Sequence, residues 1–136
     1  MIKSVKLAKE VTLRVVNKIG VLADISQIIA DHGFNIDAIA GYASGNDALL
    51  MVVTDDAVRT VEALRKEGYR TVKEQEVLVV ELKNKQGALK ALTAKLAKDD
   101  IDITLAYGTT CPEGCPARLI LSTSNNEKAL VSFKKK

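Results

Sequence analysis

Hydrophobic and polar residues alternate in some stretches of the chain and follow helical spacing in others. The alternation over residues 9–16 predicts a strand with one buried face. The next apolar positions recur every three or four residues and predict an amphipathic helix that ends at Gly33, a residue suited to the left-handed helix end. These helical positions are Leu22, Ile25, Ile28 and Ile29.

The pattern then predicts a strand pair, a second helix and a further strand. Residues 34–40 and 48–54 are the paired strands, and residues 41–47, rich in Gly, Ser, Asn and Asp, form the hairpin loop. The side chains of residues 54–56 can cap the second helix, which buries Val58, Val61 and Leu64, stops at Gly68 and leads into a strand over residues 69–73. The order β-α-β-β-α-β is typical of a ferredoxin-like sandwich.

The chain repeats itself. The turn Asn17-Lys18-Ile19-Gly20 returns as Asn84-Lys85-Gln86-Gly87, a shift of 67 positions. The same shift relates Leu22 to Leu89, Ala30 to Ala97, Ile36 to Ile103 and Gly41 to Gly108. We therefore predict an α+β fold of two ferredoxin-like βαββαβ sandwiches, with antiparallel sheets and helices on one face.

The second copy lacks a fourth strand of its own. The first unit spans residues 9–76 and the second spans residues 77–136, and the second stops one residue before the position that matches Gly68. Residues 2–6 match residues 69–73 at the same shift. Because an open sheet edge is a liability, we expect residues 2–8 to supply the missing edge strand.

Composition excludes several classes of function. The 136 residues are 47% hydrophobic and 27% charged, with a net charge of +3, which is too mild to indicate a polyanion partner. Aromatic residues make up 4% and Trp is absent, so surfaces for stacking bases are scarce. No apolar run reaches the length of a membrane span, and no signal sequence is evident, so we expect a cytoplasmic protein.

The hairpin of the second copy is two residues longer and contains both cysteines. Cys111 and Cys115 are open to three interpretations: reduced thiols in a rigid loop, a reversible hairpin disulfide, or a metal site that needs further ligands. His32 is expected to serve the end of the first helix rather than catalysis. Asp99, Asp100 and Asp102 are expected to form a solvated turn.

The strand–turn–helix segment resembles the ACT domain family of small-molecule-sensing regulatory domains. The resemblance rests on residues 15–25, on Ile28-Ile29-Ala30 and on Gly33-Phe34-Asn35-Ile36, and it extends over nearly the whole chain as a tandem pair. It implies a ligand, an amino acid or similar molecule, held between units at the turn between the first strand and the first helix. It also implies a regulatory role without catalysis or a cofactor. A second copy of the chain, paired through sheets or helices into a homodimer, and a regulated enzyme are the protein partners that we expect.

In this family the turn faces the second strand of a neighbouring unit. The resemblance therefore implies the following ligand-binding residues: Asn17, Ile19, Gly20, Val21, Leu22, Asn35, Ile36 and Asp37 in the first copy, and Asn84, Gly87, Ala88, Leu89 and Asp102 in the second. The second copy departs from the pattern, because Asp100 replaces Gly33, Asp102 replaces Asn35 and Lys90 replaces Ala23. We expect the first copy to be the better site.

Physical chemistry supports such a site at the first turn. Gly20 has no Cβ, so a ligand can approach the backbone. The free N–H groups at the start of the following helix favour a carboxylate. The carboxamides of Asn17 and Asn35 can donate and accept hydrogen bonds, and Asp37 or Asp102 offers an acceptor for an ammonium group.

Other functions remain as alternatives. A protein-interaction scaffold with vestigial pockets is the main one. An RNA-binding module of the same topology needs aromatic residues on its central strands, and here those strands have none. A metal chaperone needs a Cys pair in the first loop. This chain has Asn17-Lys18-Ile19-Gly20 there and no cysteine. An enzyme is not expected, because no nucleophile–base pair or phosphate-binding glycine loop is evident.

Overall fold

The computed structural model describes residues 1–111 and 114–135 and has an α+β fold. Among these residues six strands and four helices follow in the order β1 (Ile2–Val16), α1 (Val21–Asp31), β2 (Ile36–Ser44), β3 (Asp47–Thr54), α2 (Ala57–Lys66), β4 (Val72–Leu82), α3 (Ala88–Lys98), β5 (Ile103–Thr109), β6 (Ala117–Thr123) and α4 (Asn126–Lys134). None of the helices in this part of the chain is both long and apolar enough to cross a membrane.

The chain divides into two compact units. One is Lys9–Gln75, which we call the inserted unit. The other combines Met1–Ala8 with Glu76–Lys136, and we call it the split unit. The long strands β1 and β4 each contribute one part to each unit.

In the inserted unit the strands lie in the order β2-β3-β1-β4. β1 runs antiparallel to β3, from Val11 opposite Val52 to Val16 opposite Asp47. β2 is also antiparallel to β3, with an irregularity between Ile36 and Ala38. The core between these strands and the helices consists of Val11, Leu13, Val21, Ile25, Ile29, Leu50, Val52, Val61, Leu64 and Val72.

The split unit has the strand order β1-β4-β6-β5. β6 is antiparallel to both β4 and β5. The backbone N–H of Lys83 donates to the carbonyl of Met1 at 2.8 Å, which joins the start of the chain to the end of β4. The core consists of Leu78, Val80, Leu82, Ala88, Leu92, Leu96, Ile101, Leu121, Ala129 and Phe133, and Ile2 and Val5 pack against it.

Side-chain caps define where α2 and α4 begin. The carboxylate of Asp56 accepts from the Arg59 N–H at 3.1 Å, and the carboxamide oxygen of Asn125 accepts from the Lys128 N–H at 3.0 Å. The predicted cap region at residues 54–56 is therefore confirmed. Such caps satisfy donors that a helix start would otherwise leave unpaired.

Several predicted boundaries of the first unit were wrong. β2 spans Ile36–Ser44 rather than residues 34–40, so the hairpin shrinks to Gly45-Asn46. The reason is local packing: a Cβ on Gly41 would stand 2.6 Å from Leu50 Cδ2, so glycine lets the strand continue beside this side chain. β4 begins at Val72 rather than at residue 69, because the Tyr69 N–H instead closes the end of α2 by donating to the Leu64 carbonyl at 3.0 Å.

The predicted inward face of α2 is correct for Val61 and Leu64 but wrong for Val58. Val58 is 53% exposed, whereas Thr60 is fully buried. The Thr60 hydroxyl lies 2.8 Å from that of Thr54 and also donates to the Asp56 carbonyl at 2.7 Å. A polar residue can be buried there because both of its hydrogen-bonding partners lie in the same unit.

Candidate functional site

The turn between β1 and α1 is built on the backbone conformation of Gly20. This residue has φ 89° and ψ 0°, a left-handed conformation that side-chain-bearing residues rarely adopt. The turn is held at both ends, because the Asn17 N–H donates to the Asn46 carbonyl at 2.8 Å and the Val21 N–H donates to the Lys18 carbonyl at 3.2 Å. The sequence dictates this geometry through glycine at one position.

The helix that follows this turn begins without a side-chain cap. Gly20 occupies the N-cap position and offers no side chain to the N–H groups of the first turn. The first-turn donors of an α-helix have no partner within the helix, and the helix dipole adds positive potential there. These donors favour a carboxylate, in addition to the acidic side chain of Asp24 that the first turn already contains.

Apolar side chains at the turn face solvent. Ile19 is completely exposed at 105%, Val16 is 69% exposed and Leu22 is 45% exposed, whereas Val21 packs into the core. The carboxamide of Asn17 is also exposed and makes no hydrogen bond to any described residue. The turn thus presents apolar surface, an unpaired amide and an uncapped helix start together.

The other three predicted residues of the first copy lie at the far end of α1. The 11 residues of α1 separate the two groups by about 16 Å, at 1.5 Å per residue. There Asn35 Nδ2 donates to Asp37 Oδ1 at 2.9 Å, and the Asn35 N–H donates to Asp55 Oδ1 at 3.1 Å. Ile36 packs against the core of the inserted unit. Within one unit, therefore, the structure does not bring the two predicted walls together.

The second turn has the same backbone form and a different environment. Gly87 has φ 82° and ψ −4°, and α3 also begins without a side-chain cap. Ala88 is buried, and Leu89 is 56% exposed, as Leu22 is exposed in the first turn. Unlike Asn17, Asn84 directs its Nδ2 to the Cys111 carbonyl at 3.5 Å, the long limit of a hydrogen bond.

The acidic residues after α3 take structural positions. Asp100 adopts a left-handed conformation with φ 58°, where the first copy has Gly33 with φ 79°. The Asp102 N–H donates to Ser124 Oγ at 3.0 Å, and the Asp102 carbonyl accepts from the Ser124 N–H at 2.8 Å. The Asp102 carboxylate is exposed, at the other end of α3 from Gly87.

The carboxyl of Asp99 has a lowered pKa. The Ser132 hydroxyl donates to Asp99 Oδ2 at 2.5 Å and holds the pKa of this carboxyl below its ordinary value of 3.8, with help from the nearby Lys135, Lys128 and Lys98. This bond joins the ends of α3 and α4. We assign it a structural role, because it connects two helices of the split unit.

Of the three interpretations of the cysteines, the structure contains the disulfide between Cys111 and Cys115. No group of three or more potential metal ligands occurs among the described residues. Pro112 and Glu113, which complete this loop, lie outside the described residues.

A cleft that the sequence did not indicate lies in the split unit. It has a volume of about 360 Å³ and is lined by Met1, Ile2, Ala91, Leu92, Lys95, Phe133, Lys134 and Lys135. None of the predicted site residues lines it. Nothing in the sequence pattern signalled a cleft beside Lys134 and Lys135.

Comparison with known proteins identifies similar folds. Residues 9–67 match the model of the ACT domain family. Protein BT0572 from Bacteroides thetaiotaomicron has 21% sequence identity and a TM-score of 0.88, over 96% of this chain and 88% of that one. The ligand-free regulatory subunit of aspartate kinase from Thermus thermophilus has 16% identity and a TM-score of 0.69, over 97% of this chain and 96% of that one.

A third similar structure contains ligands. Aspartokinase III from E. coli, in complex with lysine and aspartate, has 18% identity and a TM-score of 0.57, over 96% of this chain and 31% of that one. The comparison with curated proteins finds no match. Residues 9–67 thus match the ACT domain family, and the fold is similar to that of an aspartate kinase regulatory subunit.

Proposed function

We propose that this protein is a regulatory module without catalytic activity that binds an α-amino acid at the β1–α1 turn. The observation that carries the proposal is the exposed group at this turn: Ile19 and Leu22, the unpaired carboxamide of Asn17 and the uncapped start of α1. A fold neighbour that binds lysine and aspartate supports the choice of ligand class.

The carboxylate and the apolar part of an α-amino acid find partners of matching chemistry at this turn, whereas the ammonium group does not. The carboxylate accepts hydrogen bonds from the first-turn N–H groups of α1, where the helix dipole favours negative charge. An apolar part of the ligand covers Ile19 and Leu22, which removes their side chains from water. The Asn17 carboxamide adds a donor and an acceptor. The ammonium group needs a carboxylate, and none of the turn residues 17–22 provides one.

We propose that Asp37 of a second protomer supplies this carboxylate. Asp37 lies about 16 Å away along the 11 residues of α1 in its own unit, so it cannot reach a ligand at the turn of the same unit. β2 ends the strand order of the inserted unit and so leaves one edge for pairing. A two-fold dimer of this kind contains two equivalent sites, each with one wall from each chain.

We further propose that both units are ACT-like and that residues 2–8 complete the second of them. The grouping of Met1–Ala8 with Glu76–Lys136 supports this arrangement. The matching conformations of Gly20 and Gly87 support an equivalence of the two turns. Binding to the first turn is preferred, because the Asn84 amide already contacts Cys111.

A thermal-shift panel of the amino acids tests the binding proposal. A ligand that binds only the folded protein raises its stability by mass action, by about 2.7 kcal/mol at 100 times the dissociation constant. The variant Ile19→Asp places a carboxylate at a fully exposed position beside the helix start and should abolish the shift. Gln86→Asp makes the same change at the equivalent position of the second turn and should leave the shift intact.

A mixing experiment tests the shared site. The variants Ile19→Asp and Asp37→Ala each lose binding at both sites of a homodimer. In a mixed dimer one site combines two damaged walls and the other combines two intact walls, so random mixing restores about a quarter of the wild-type sites. If calorimetry shows no recovery after subunit exchange, the two walls do not come from different protomers.

The alternative of an interaction scaffold is favoured by exposed apolar residues on β2. Ile39 is 44% exposed and Tyr42 is 59% exposed, away from the turn. A scaffold predicts that no amino acid changes the melting temperature and that Ile39→Ser or Tyr42→Ser weakens association in sedimentation velocity. A binder predicts a shift with at least one amino acid, and that shift is lost in Ile19→Asp.

A further inference from the structure

The loop between β5 and β6 carries a covalent bridge that no feature of the inserted unit matches. Cys111 and Cys115 are four positions apart and joined by a disulfide, with their Cα atoms 5.4 Å apart. Cys115 is exposed and Cys111 is half-buried. The equivalent connection in the inserted unit is the short turn at Gly45-Asn46. The bridge is therefore a local addition to one of two similar units.

This bridged loop contacts the candidate binding turn of its own unit. The Cys111 carbonyl accepts from Asn84 Nδ2 at 3.5 Å and from Thr110 Oγ1 at 3.5 Å. Thr110 Oγ1 also lies 3.4 Å from the Cys115 carbonyl, across the base of the loop. These contacts lie at the limit of hydrogen bonding, so a displacement of a few tenths of an ångström of Cys111 decides whether Asn84 is held.

We propose that Cys111–Cys115 is a reversible redox site whose oxidation state determines whether the Asn84 carboxamide is held by the loop. In the oxidised form the bridge fixes the separation of residues 111 and 115, and the Cys111 carbonyl stays opposite Asn84. In the reduced form this constraint is gone, and the Asn84 carboxamide is released. Its state then matches that of Asn17, which makes no hydrogen bond to a described residue.

The reaction needs two thiol groups as reductant, which one dithiol or two glutathione molecules supply. With a dithiol, one thiolate attacks Sγ of the exposed Cys115, the S–S bond breaks, and Cys111 leaves as a thiolate that takes up a proton. The second thiol of the reductant then displaces Cys115 from the mixed disulfide. The products are two protein thiols and one disulfide of the reductant, so two electrons and two protons pass to the protein.

Two features favour a reversible site over a structural bridge. Cys115 is an exposed residue, so an attacking thiolate can approach it. The bridge closes a short loop, and short loops gain least from cross-linking of the unfolded chain. The core of the split unit contains neither cysteine, so reduction leaves the fold in place.

The consequence for binding rests on the proposed function: reduction frees Asn84 to meet a ligand at the second turn. The redox site itself does not depend on any ligand. The test can therefore be made on the free protein, and a protein that binds no amino acid can still satisfy or contradict it.

The experiment compares side-chain amide signals of ¹⁵N-labelled protein in oxidised and reduced form. The Asn84 carboxamide signals, identified by their loss in Asn84→Asp, should shift by more than a linewidth on addition of dithiothreitol and return on reoxidation. The Asn17 carboxamide signals serve as the internal control and should stay in place. The double variant Cys111→Ser with Cys115→Ser should show the reduced positions under both conditions.

Mass spectrometry after alkylation supplies the matching chemical readout. Iodoacetamide should add no group to the air-oxidised protein and two groups after reduction, with circular dichroism unchanged. The labelled fraction should also follow the ratio of reduced to oxidised glutathione. The proposal is overturned if the air-oxidised protein is alkylated without reductant, if glutathione never changes the labelled fraction, or if full reduction leaves the Asn84 signals in place.

Discussion

Gly41 and Gly108 occupy equivalent positions of the repeat, but we expect substitution by alanine to destabilise the protein to different extents at the two positions. Gly41 lies opposite Leu50 in the β2–β3 pair, and Gly108 lies opposite Leu119 in the β5–β6 pair. A Cβ on Gly108 would stand 2.6 Å from the backbone oxygen of Arg118 and 2.9 Å from Leu119 Cδ1. A Cβ on Gly41 would meet Leu50 Cδ2 at 2.6 Å, with the nearest backbone atom, Leu49 O, at 3.5 Å.

The loss of free energy of unfolding depends on whether the atoms that the new Cβ would meet can move away. The Arg118 carbonyl belongs to a paired strand, so Gly108→Ala forces β5 and β6 apart. We expect this overpacking to lower the free energy of unfolding by about 2 kcal/mol, within the usual range of about 1–3 kcal/mol. The Leu50 methyl group can rotate away, and alanine also stiffens the unfolded chain, a gain of about 0.4–1 kcal/mol. Gly41→Ala should therefore cost less than about 1 kcal/mol.

Urea unfolding and thermal unfolding, both followed by circular dichroism, measure the two variants. A difference of about 1 kcal/mol corresponds to about 4–8 °C in melting temperature for a domain of 60–100 residues. The wild-type protein and the Gly41→Ala variant should melt within a few degrees of each other, and Gly108→Ala should melt clearly below both. Equal losses, or a larger loss for Gly41→Ala, would refute the account of these contacts.

Three further substitutions test local features of the split unit. Asn125→Ala removes the cap of α4 and should lower the free energy of unfolding, measured in urea, by about 1 kcal/mol. Asn125→Asp keeps an acceptor at this position and should retain most of the stabilisation that the cap provides. Asp100→Gly should raise the free energy of unfolding by up to about 1 kcal/mol, because φ 58° strains a side-chain-bearing residue. Gly33→Asp should lower the free energy of unfolding for the same reason. A destabilised Asp100→Gly protein would contradict this account of backbone strain. Because the pKa of Asp99 is lowered in the folded state, its stabilisation is present above pH 3.8 and is lost as the pH falls through the lower folded value. Ser132→Ala should therefore weaken the dependence of the free energy of unfolding on pH at acidic pH. If this dependence does not change, the Ser132 hydrogen bond is not the cause of the lowered pKa of Asp99.

The sequence predicted the order of elements because the periodicity of each is set by its own buried face. Val61 and Leu64 of α2 follow this pattern and are buried. Val58 does not, because Thr60 is buried instead through hydrogen bonds to Thr54 and Asp56. Periodicity measures apolar character, so it cannot anticipate a polar residue whose partners come from a neighbouring strand and the preceding turn.

Strand boundaries were harder to predict for a similar reason. Gly41 was assigned to a hairpin loop because glycine usually indicates a turn. In the structure it lies within β2, where the absent Cβ makes room for Leu50. Residues 2–8 and 9–16 carry separate patterns, yet they form the single strand β1. Nothing in local alternation distinguishes one long strand from two adjoining ones.

The sequence predicts the local features of the candidate site, but it does not predict how far apart the residues of the site lie in the fold. The turn conformation at Gly20 and the uncapped helix follow from the residue types. The separation of Asn35 and Asp37 from this turn follows from the length of α1, which the sequence also gives. The link between Asn84 and the Cys111 carbonyl depends on the path of a hairpin whose length alone was visible. Contacts between segments that are distant in sequence require the fold.

The most direct test of binding at the first turn is a chemical-shift map with the amino acid that gives the largest thermal shift. We predict that the backbone amides of Leu22 and Ala23 and the carboxamide of Asn17 move on titration. These changes should disappear in Ile19→Asp and persist in Gln86→Asp. The account is contradicted if no amino acid moves these signals, or if the changes map instead to the cleft beside Lys95 and Lys135.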